Sequence, residues 1–387
     1  MNQGKYVFAQ LVEFLDHHRF EDIVKKYDGD KGIRDFSCWN QMLCMIFGQL
    51  SGRESLRDLI VVLTAHKSKS YHLGFGRGVH LPTLAKANAR RNYKIYEDFA
   101  SYMIGYARRI CANDNFEINV EGNIYAFDSS IIDLCLSVFW WATFRRRKGA
   151  IKMHTLFDVK TSIPSFIHIT PASVNDVKAM DYIPYEQGSY YIFDRGYNDF
   201  KRFYDINTQK AFFVFRARDN LKFRRIYSIK ADKTKGVKSD QIGVFTAGKS
   251  PERYPEKIRR VRYHDRENNI DFTFLTNNTK LTANQIALLY KNRWQIELFF
   301  KWIKQHLKVK SFWGHTENAV RTQIYCAVIA YCLVSIVAKE LEIDRPIYEI
   351  LQILGISLTD KAPVKELLAS SDYKNVKEPD CNLLLFN

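Results

Sequence analysis

The stretch Leu281–Lys310 (LTANQIALLYKNRWQIELFFKWIKQHLKVK) constrains this chain more than any other. Thr282 precedes a run of good helix formers, and no Pro or Gly interrupts it before Gly314, so it predicts one long helix. At ~100° per residue, Tyr290, Arg293, Glu297 and Lys304 fall within an arc of roughly 60°. The neighbouring arc holds Leu289, Ile296, Phe300, Ile303 and Leu307, an apolar stripe that would seat the helix on a core. An acid, two cations and a phenol therefore line the edge of a buried surface. A solvated face could show the same charges, with Arg293 and Glu297 no more than an i, i+4 ion pair.

The other acids sit in strands. Residues 123–132 (NIYAFDSSII) read as a buried strand interrupted by Asp128, and 189–194 (SYYIFD) as an apolar strand ending in Asp194. Between them, 154–160 and 165–170 are short strands joined by a turn near Ser162–Pro164, followed by a brief helix at 175–181. A helix over 199–207 and a strand over 211–216 complete the series. Asp133 and Asp176 are rival third acids that read more simply as cap or surface residues. His154 and His168 read as core or edge histidines, and the Arg145–Lys148 run as a solvated charge cluster or a DNA-backbone contact.

Residues 1–72 show helical periodicity near 8–17, 37–50 and 54–66, with Ser51 and Glu54 as a possible capping box. Short helices and tight turns suit a helix-turn-helix module or any small bundle. Leu73–Leu81 (LGFGRGVHL) reads as a joint. The stretch 82–110 is a basic helix carrying Lys86, Arg90, Arg91, Lys94, Arg108 and Arg109. Residues 218–274 are rich in Lys, Arg and short β-like pieces. Residues 319–340 form an apolar helix expected to pack under the sheet, with short helices at 347–354 and 364–370 and a loosely ordered tail from Asp372.

Lys and Arg number 58 against 42 Asp and Glu, a formal charge of +16 that favours a polyanionic partner, nucleic acid first. No apolar run is read as reaching transmembrane length, and the first ten residues lack a signal-peptide core. The seven cysteines, Cys38, Cys44, Cys111, Cys135, Cys326, Cys332 and Cys381, sit mostly in apolar contexts and read as reduced thiols of a cytosolic protein. A zinc site from Cys38, Cys44, His66 and His72 lacks close ligand pairs.

Three pieces taken together, AFDSS with Asp128, FDRGYNDF with Asp194, and Tyr290-x2-Arg293-x3-Glu297-x6-Lys304, resemble the bacterial DDE transposases of the insertion-sequence-four type, as does KGAIKMHTLFDV (148–159). The likeness spans about Ala126 to Gln323. It implies a ribonuclease-H-like core, α/β in class, over 113–345 with a β-rich insertion at 218–274. The helices of 1–72 also resemble an accessory domain often found ahead of such cores and read as a helical DNA-binding domain, while 73–112 reads as a linker and basic helical region and 346–387 as a helical tail. By that resemblance Asp128, Asp194 and Glu297 would be catalytic and would bind Mg²⁺, two ions in all, with Mn²⁺ as a substitute. Hard carboxylate donors suit that ion, and paired metals suit phosphodiester cleavage. Tyr290, Arg293 and Lys304 would contact DNA phosphates, and Trp294 would stack on an unpaired base or serve as a core aromatic.

The expected protein binds terminal inverted repeats of double-stranded DNA, cuts at the element ends and joins them to target DNA. It would work as a dimer in the bacterial cytoplasm, near the nucleoid and away from membranes. A nuclease of the same fold without strand transfer, and a non-catalytic DNA-binding descendant, are the alternatives.

Overall fold

The computed structural model describes residues 4–76, 78–112, 118, 120–134, 143–145, 148–305 and 312–369. Leu307, Cys135, Cys381, the side chains of the Arg145–Lys148 run and the tail from Asp372 lie outside the described residues. The chain begins with helices: α1 (Val7–Val12), α2 (His17–Lys26), α3 (Cys38–Leu50), α4 (Leu56–Ala65), α5 (Leu81–Arg90) and α6 (Lys94–Cys111). The capping box expected at Ser51 is not formed. Ser51 Oγ instead donates to the Phe47 carbonyl at the end of α3, and Ser55 caps α4 by accepting from the Asp58 amide. The basic stretch after Leu81 is two helices, not one, because the chain turns at Arg91–Tyr93. There Arg91 is buried and donates to the Ser37 carbonyl and Gln41.

The strand-rich part follows as β1 (Ile124–Leu134), β2 (Thr143–Arg145), β3 (Lys148–Asp158), β4 (Ile163–Pro171), α7 (Asp176–Ala179), β5 (Tyr190–Phe193), α8 (Phe200–Thr208) and β6 (Phe212–Arg216). Next come β7 (Phe223–Ile229), β8 (Val237–Phe245), α9 (Ser250–Arg253), β9 (Ile258–Asp265) and β10 (Ile270–Thr276). The chain closes with α10 (Ala283–Lys291), α11 (Trp294–Gln305), α12 (Glu317–Glu340), α13 (Ile347–Ser357) and α14 (Val364–Leu368). One mixed sheet runs β4-β3-β1-β5-β6-β10-β9-β8-β7, with β2 on the start of β3. β3 is antiparallel to β1 and β4, and β5 and β6 are parallel to β1. The 218–274 segment continues this sheet, since β10 pairs antiparallel with β6.

Strand alternation sorts the core into two faces. Tyr125, Phe127, Tyr191, Phe193, Phe213 and Phe215 pack with α8 on one face, while Ile124, Ala126, Ile192 and Val214 lie on the other, which α10 and α11 cover. The second core is continuous with the N-terminal helices and includes Leu73, Phe75 and Val79 of the Gly-containing stretch.

Helix α12 lies mainly against α6, α3 and α5, not directly under the sheet as expected. Only points such as Tyr331, which donates to the Ser162 carbonyl, reach the β3–β4 turn. Enclosure on all sides explains its composition. By length and apolar character it could cross a membrane, contrary to the sequence reading, yet 94% of its apolar window is buried inside the protein. Cys38, Cys44, Cys111, Cys326 and Cys332 are buried free thiols.

A buried ion pair fixes where α10 begins. Arg259 on β9 bonds Asp240 on β8 through both carboxylate oxygens (2.9 and 2.7 Å), each side chain only 2% exposed. Its remaining nitrogen donates to the carbonyls of Asn278 and Leu281, just ahead of the Thr282 capping box. Asp240→Ala would strand a buried guanidinium, and we expect a loss of about 3–5 kcal/mol in urea unfolding. A change below about 1 kcal/mol would show that Arg259 finds other partners at little cost.

Candidate active site

Asp128 and Asp194 meet through strand pairing. β1 and β5 run parallel with Phe127 opposite Phe193, so the next residues stand side by side at the carboxyl ends. By parity with Ala126 and Ile192 both acids face the α10–α11 side. Glu297 comes to them from the first turn of α11.

The organising helix is not continuous. α10 ends at Lys291, and the chain passes through a tight turn in which Arg293 N–H bonds Tyr290 O and Ile296 N–H bonds Arg293 O. The Asn292 side-chain amide donates to the Leu288 carbonyl and accepts from Gln295. The Asn292 N–H also keeps its bond to the Leu288 carbonyl, and the ladder breaks just after it, where the bonds shorten to i→i−3.

Tyr290 lies just before the break, packed on Phe272 and Phe274 of β10, and its hydroxyl donates to Asp194 Oδ1 at 3.1 Å. Arg293, in the break, donates to Asp128 Oδ2 at 3.3 Å and to Glu297 Oε1. Phenol, guanidinium and three carboxylates are thus drawn together from two strand ends and a helix junction. Asp194, Tyr290, Arg293 and Glu297 open on a groove of about 1160 Å³ walled by α10, the β9–β10 hairpin and the Thr234–Gly236 loop, while Asp128, bonded to Arg293, is not part of its lining. Trp294 lines it and is 43% exposed, so it is not a core aromatic. Lys304, in the last turn of α11, is outside the groove's lining.

The sequence that carries this arrangement matches a known family. The transposase DDE domain family matches residues 121–333, which hold every residue just described. The chain belongs to the DDE transposases. A second family, a domain of unknown function (DUF4372), matches residues 3–76. A relative from Sinorhizobium fredii that carries a transposase name, y4zB, is 38% identical over 68% of this chain and 73% of its own. A relative from Geobacillus stearothermophilus, named for insertion sequence element IS5377, is 26% identical over 72% of this chain and 75% of its own. One from Synechocystis, named for element IS4SA, is 24% identical over 74% and 80%. The expectation of an insertion-sequence DDE transposase, an enzyme acting on DNA, therefore holds.

In this transposase the acid cluster carries more negative than positive charge. Burial pushes the Asp128 carboxyl up to about 6, against the pull of Arg293 and the Ser129 amide, and Asp194 and Glu297 add to the rise. Burial also raises the Tyr290 phenol, keeping it a neutral donor. Arg293, buried among these groups, is held above its ordinary range because Tyr290, Glu297 and Asp128 outweigh its desolvation. Its Nε is buried without a partner. Among the described residues no three His, Cys, Asp or Glu side chains stand ready to share one metal ion. The donors nevertheless suit a hard divalent cation: three carboxylates facing a single guanidinium leave positive charge wanting.

The rival acids have other partners. Asp133 is on β1 itself, on the alternate face from Asp128, and exposed. Asp176 is not a cap, since Asn175 caps α7; it accepts from Ser129 Oγ at 2.7 Å and from Lys152 Nζ at 3.0 Å. Sequence reasoning missed this contact, and the only available signal was the Ser directly after Asp128. His168 stacks on Tyr182 at 4.5 Å.

His154 is fully buried, with Nε2 bonded to Thr170 Oγ1 and Nδ1 making no hydrogen bond but lying 3.9 Å from Asp176 Oδ1; burial lowers its pKa to about 4 against the pull of that carboxylate. A depressed histidine stays neutral in the fold while the unfolded chain protonates near 6.5. Its contribution is therefore whole above pH 6.5 and is lost as pH falls towards 4, on the order of 3 kcal/mol. His154→Gln should flatten the acid limb of a stability–pH profile between those values. An unchanged limb would assign acid sensitivity elsewhere.

Proposed function

We propose that this transposase cuts and joins DNA by metal-assisted phosphodiester chemistry at Asp128, Asp194 and Glu297, in a ribonuclease-H-like core. The observation that carries the reading is the meeting of Asp128 and Glu297 on Arg293, with Asp194 held by Tyr290 next to it, beside a groove that Asp194 and Glu297 line. The strand order β4-β3-β1-β5-β6, with only β3 reversed between β1 and β4, supports the fold assignment.

The carboxylates would hold Mg²⁺, or Mn²⁺ in its place, as a pair of ions. A bound pair activates the attacking oxygen and stabilises the leaving one. Tyr290 and Arg293 orient the carboxylates, Lys304 offers a point charge to the DNA backbone, and exposed Trp294 offers a stacking face to an unpaired base. The enzyme would act as a dimer that pairs two terminal inverted repeats, excises the element and inserts it into target DNA, in the cytoplasm at the nucleoid. Incubating the full chain with end DNA, target plasmid and Mg²⁺ tests this. Joined products are expected; nicks without joining would favour a nuclease, and no metal-dependent nick would favour a binding protein.

We assign repeat binding to the helical region of residues 1–110. Of the six cations over 82–110, Arg91 turns inward, and Arg108 bonds Asp158 and the Tyr125 hydroxyl. Lys86, Arg90, Lys94 and Arg109 stay exposed. Lys86→Glu with Arg90→Glu should lower the salt slope of end-DNA binding by about one per lost phosphate contact. An unaltered slope would place the DNA elsewhere.

A further inference from the structure

Ser129 is the residue after Asp128, so its side chain points to the opposite face of β1. There Ser129 Oγ donates to Asp176 Oδ1 at 2.7 Å. Lys152, on the neighbouring strand β3 and nearly buried, donates to the same Oδ1 at 3.0 Å and to the Val174 carbonyl at 2.9 Å. This ties α7 to β1 and β3 and directs the Ser129 hydroxyl to Asp176. The Ser129 amide in turn donates to Asp128 Oδ1 at 2.8 Å, and the buried Tyr197 hydroxyl approaches that oxygen at 3.4 Å. Asp128 Oδ1 is therefore taken by the protein, while Oδ2 faces Arg293 on the Glu297 side.

We propose that Asp176 is a positioning residue for Asp128: with Lys152 it clamps Ser129, and through Ser129 it fixes which carboxylate oxygen Asp128 presents to the site. The proposal rests on the reading of Asp128 as a catalytic acid. It gives a role to an acid that touches none of the three and to a buried lysine otherwise without function. A hydrogen-bonded partner behind a ligating carboxylate sets its orientation and basicity, and removing such partners costs about 10–100-fold in metal affinity or activity.

The test uses the full chain. Asp176→Ala is expected to lower kcat for end-DNA nicking about 10–100-fold with KM for DNA unchanged, and to weaken Mn²⁺ binding, followed by electron paramagnetic resonance without turnover, by a similar factor. Ser129→Ala should reproduce both effects, and the double variant should be no worse than either alone. Asp176→Asn, which keeps an acceptor for Ser129, should restore most of the loss. Wild-type kcat and Mn²⁺ affinity in folded Asp176→Ala would overturn the proposal, as would fully additive losses. If Asp176→Ala does not fold, Ser129→Ala and Asp176→Asn decide by the same two readouts. Asp128→Ala is the control for the underlying reading: nicking at the wild-type rate there would remove the site itself, a different failure from an inert Asp176.

Discussion

Glu297→Ala is expected to reduce Mg²⁺-dependent nicking about a thousandfold or more, and Asp128→Ala and Asp194→Ala to do the same. Pairwise combinations should cost little beyond one change, because groups acting as a unit are not additive. End-DNA binding should persist, since the exposed cations of the helical region are untouched. The fold should persist too. The Asp128 carboxyl is raised to about 6, so at neutral pH its charge opposes folding, and Asp128→Asn should stabilise the protein by up to roughly 3 kcal/mol. The sign follows from linkage: a raised carboxyl favours the fold fully below the unfolded pKa and loses that advantage as pH climbs through about 6. A folded Glu297→Ala protein nicking at the wild-type rate would sink the three-acid site.

Arg293→Ala should have the second largest effect, through two opposed outcomes. The side chain bonds Asp128 and Glu297 together and lies 5.8 Å over the Tyr290 ring. Without it the carboxylates confront one another with no local cation, so stability should fall by about 3–5 kcal/mol in chelator. Metal should restore much of that loss, and Mn²⁺ should bind more tightly to the variant than to wild type, because the competing charge is gone. Nicking should still drop about a hundredfold if Arg293 turns outward to a phosphate once metal takes its place. The salt slope of end binding reports that movement and should fall by about one. Arg293→Lys keeps the charge but not the fork that spans two acids, so it should rescue stability only in part. Weaker Mn²⁺ binding in Arg293→Ala would mean that Arg293 supports the metal and does not compete with it.

Much of this site is written in short-range pattern. Asp128 interrupts an apolar strand and Asp194 ends one, and period-2 alternation sets both on the same face as Ala126 and Ile192. The i, i+4 spacing of Arg293 and Glu297 survives in their bond, and Thr282 caps the helix where the sequence placed the start. Local signals erred where a side chain had a tertiary alternative. The long helix splits just after Asn292, whose side chain bonds Leu288; Ser51 closes α3 when it was expected to open α4; and Arg91 and Arg108 turn into the protein when they were expected on a basic surface. The apolar run at 319–340 was legible as a helix, but its neighbours were not, because hydrophobic patterning says that a face is buried without saying against what.

What the sequence by itself determined is which residue types stand at strand ends and on which helix face, since those periods are properties of a few consecutive peptide units. Tertiary structure alone decided that β1 pairs in parallel with β5, which sets Asp128 beside Asp194. It also decided that β10 joins β6 and seats Tyr290 on Phe272 and Phe274, and that Asp176 reaches Ser129. These contacts join residues dozens of positions apart. Closing such loops costs nearly the same for many alternative pairings, so packing of the two sheet faces, and no local propensity, selects among them.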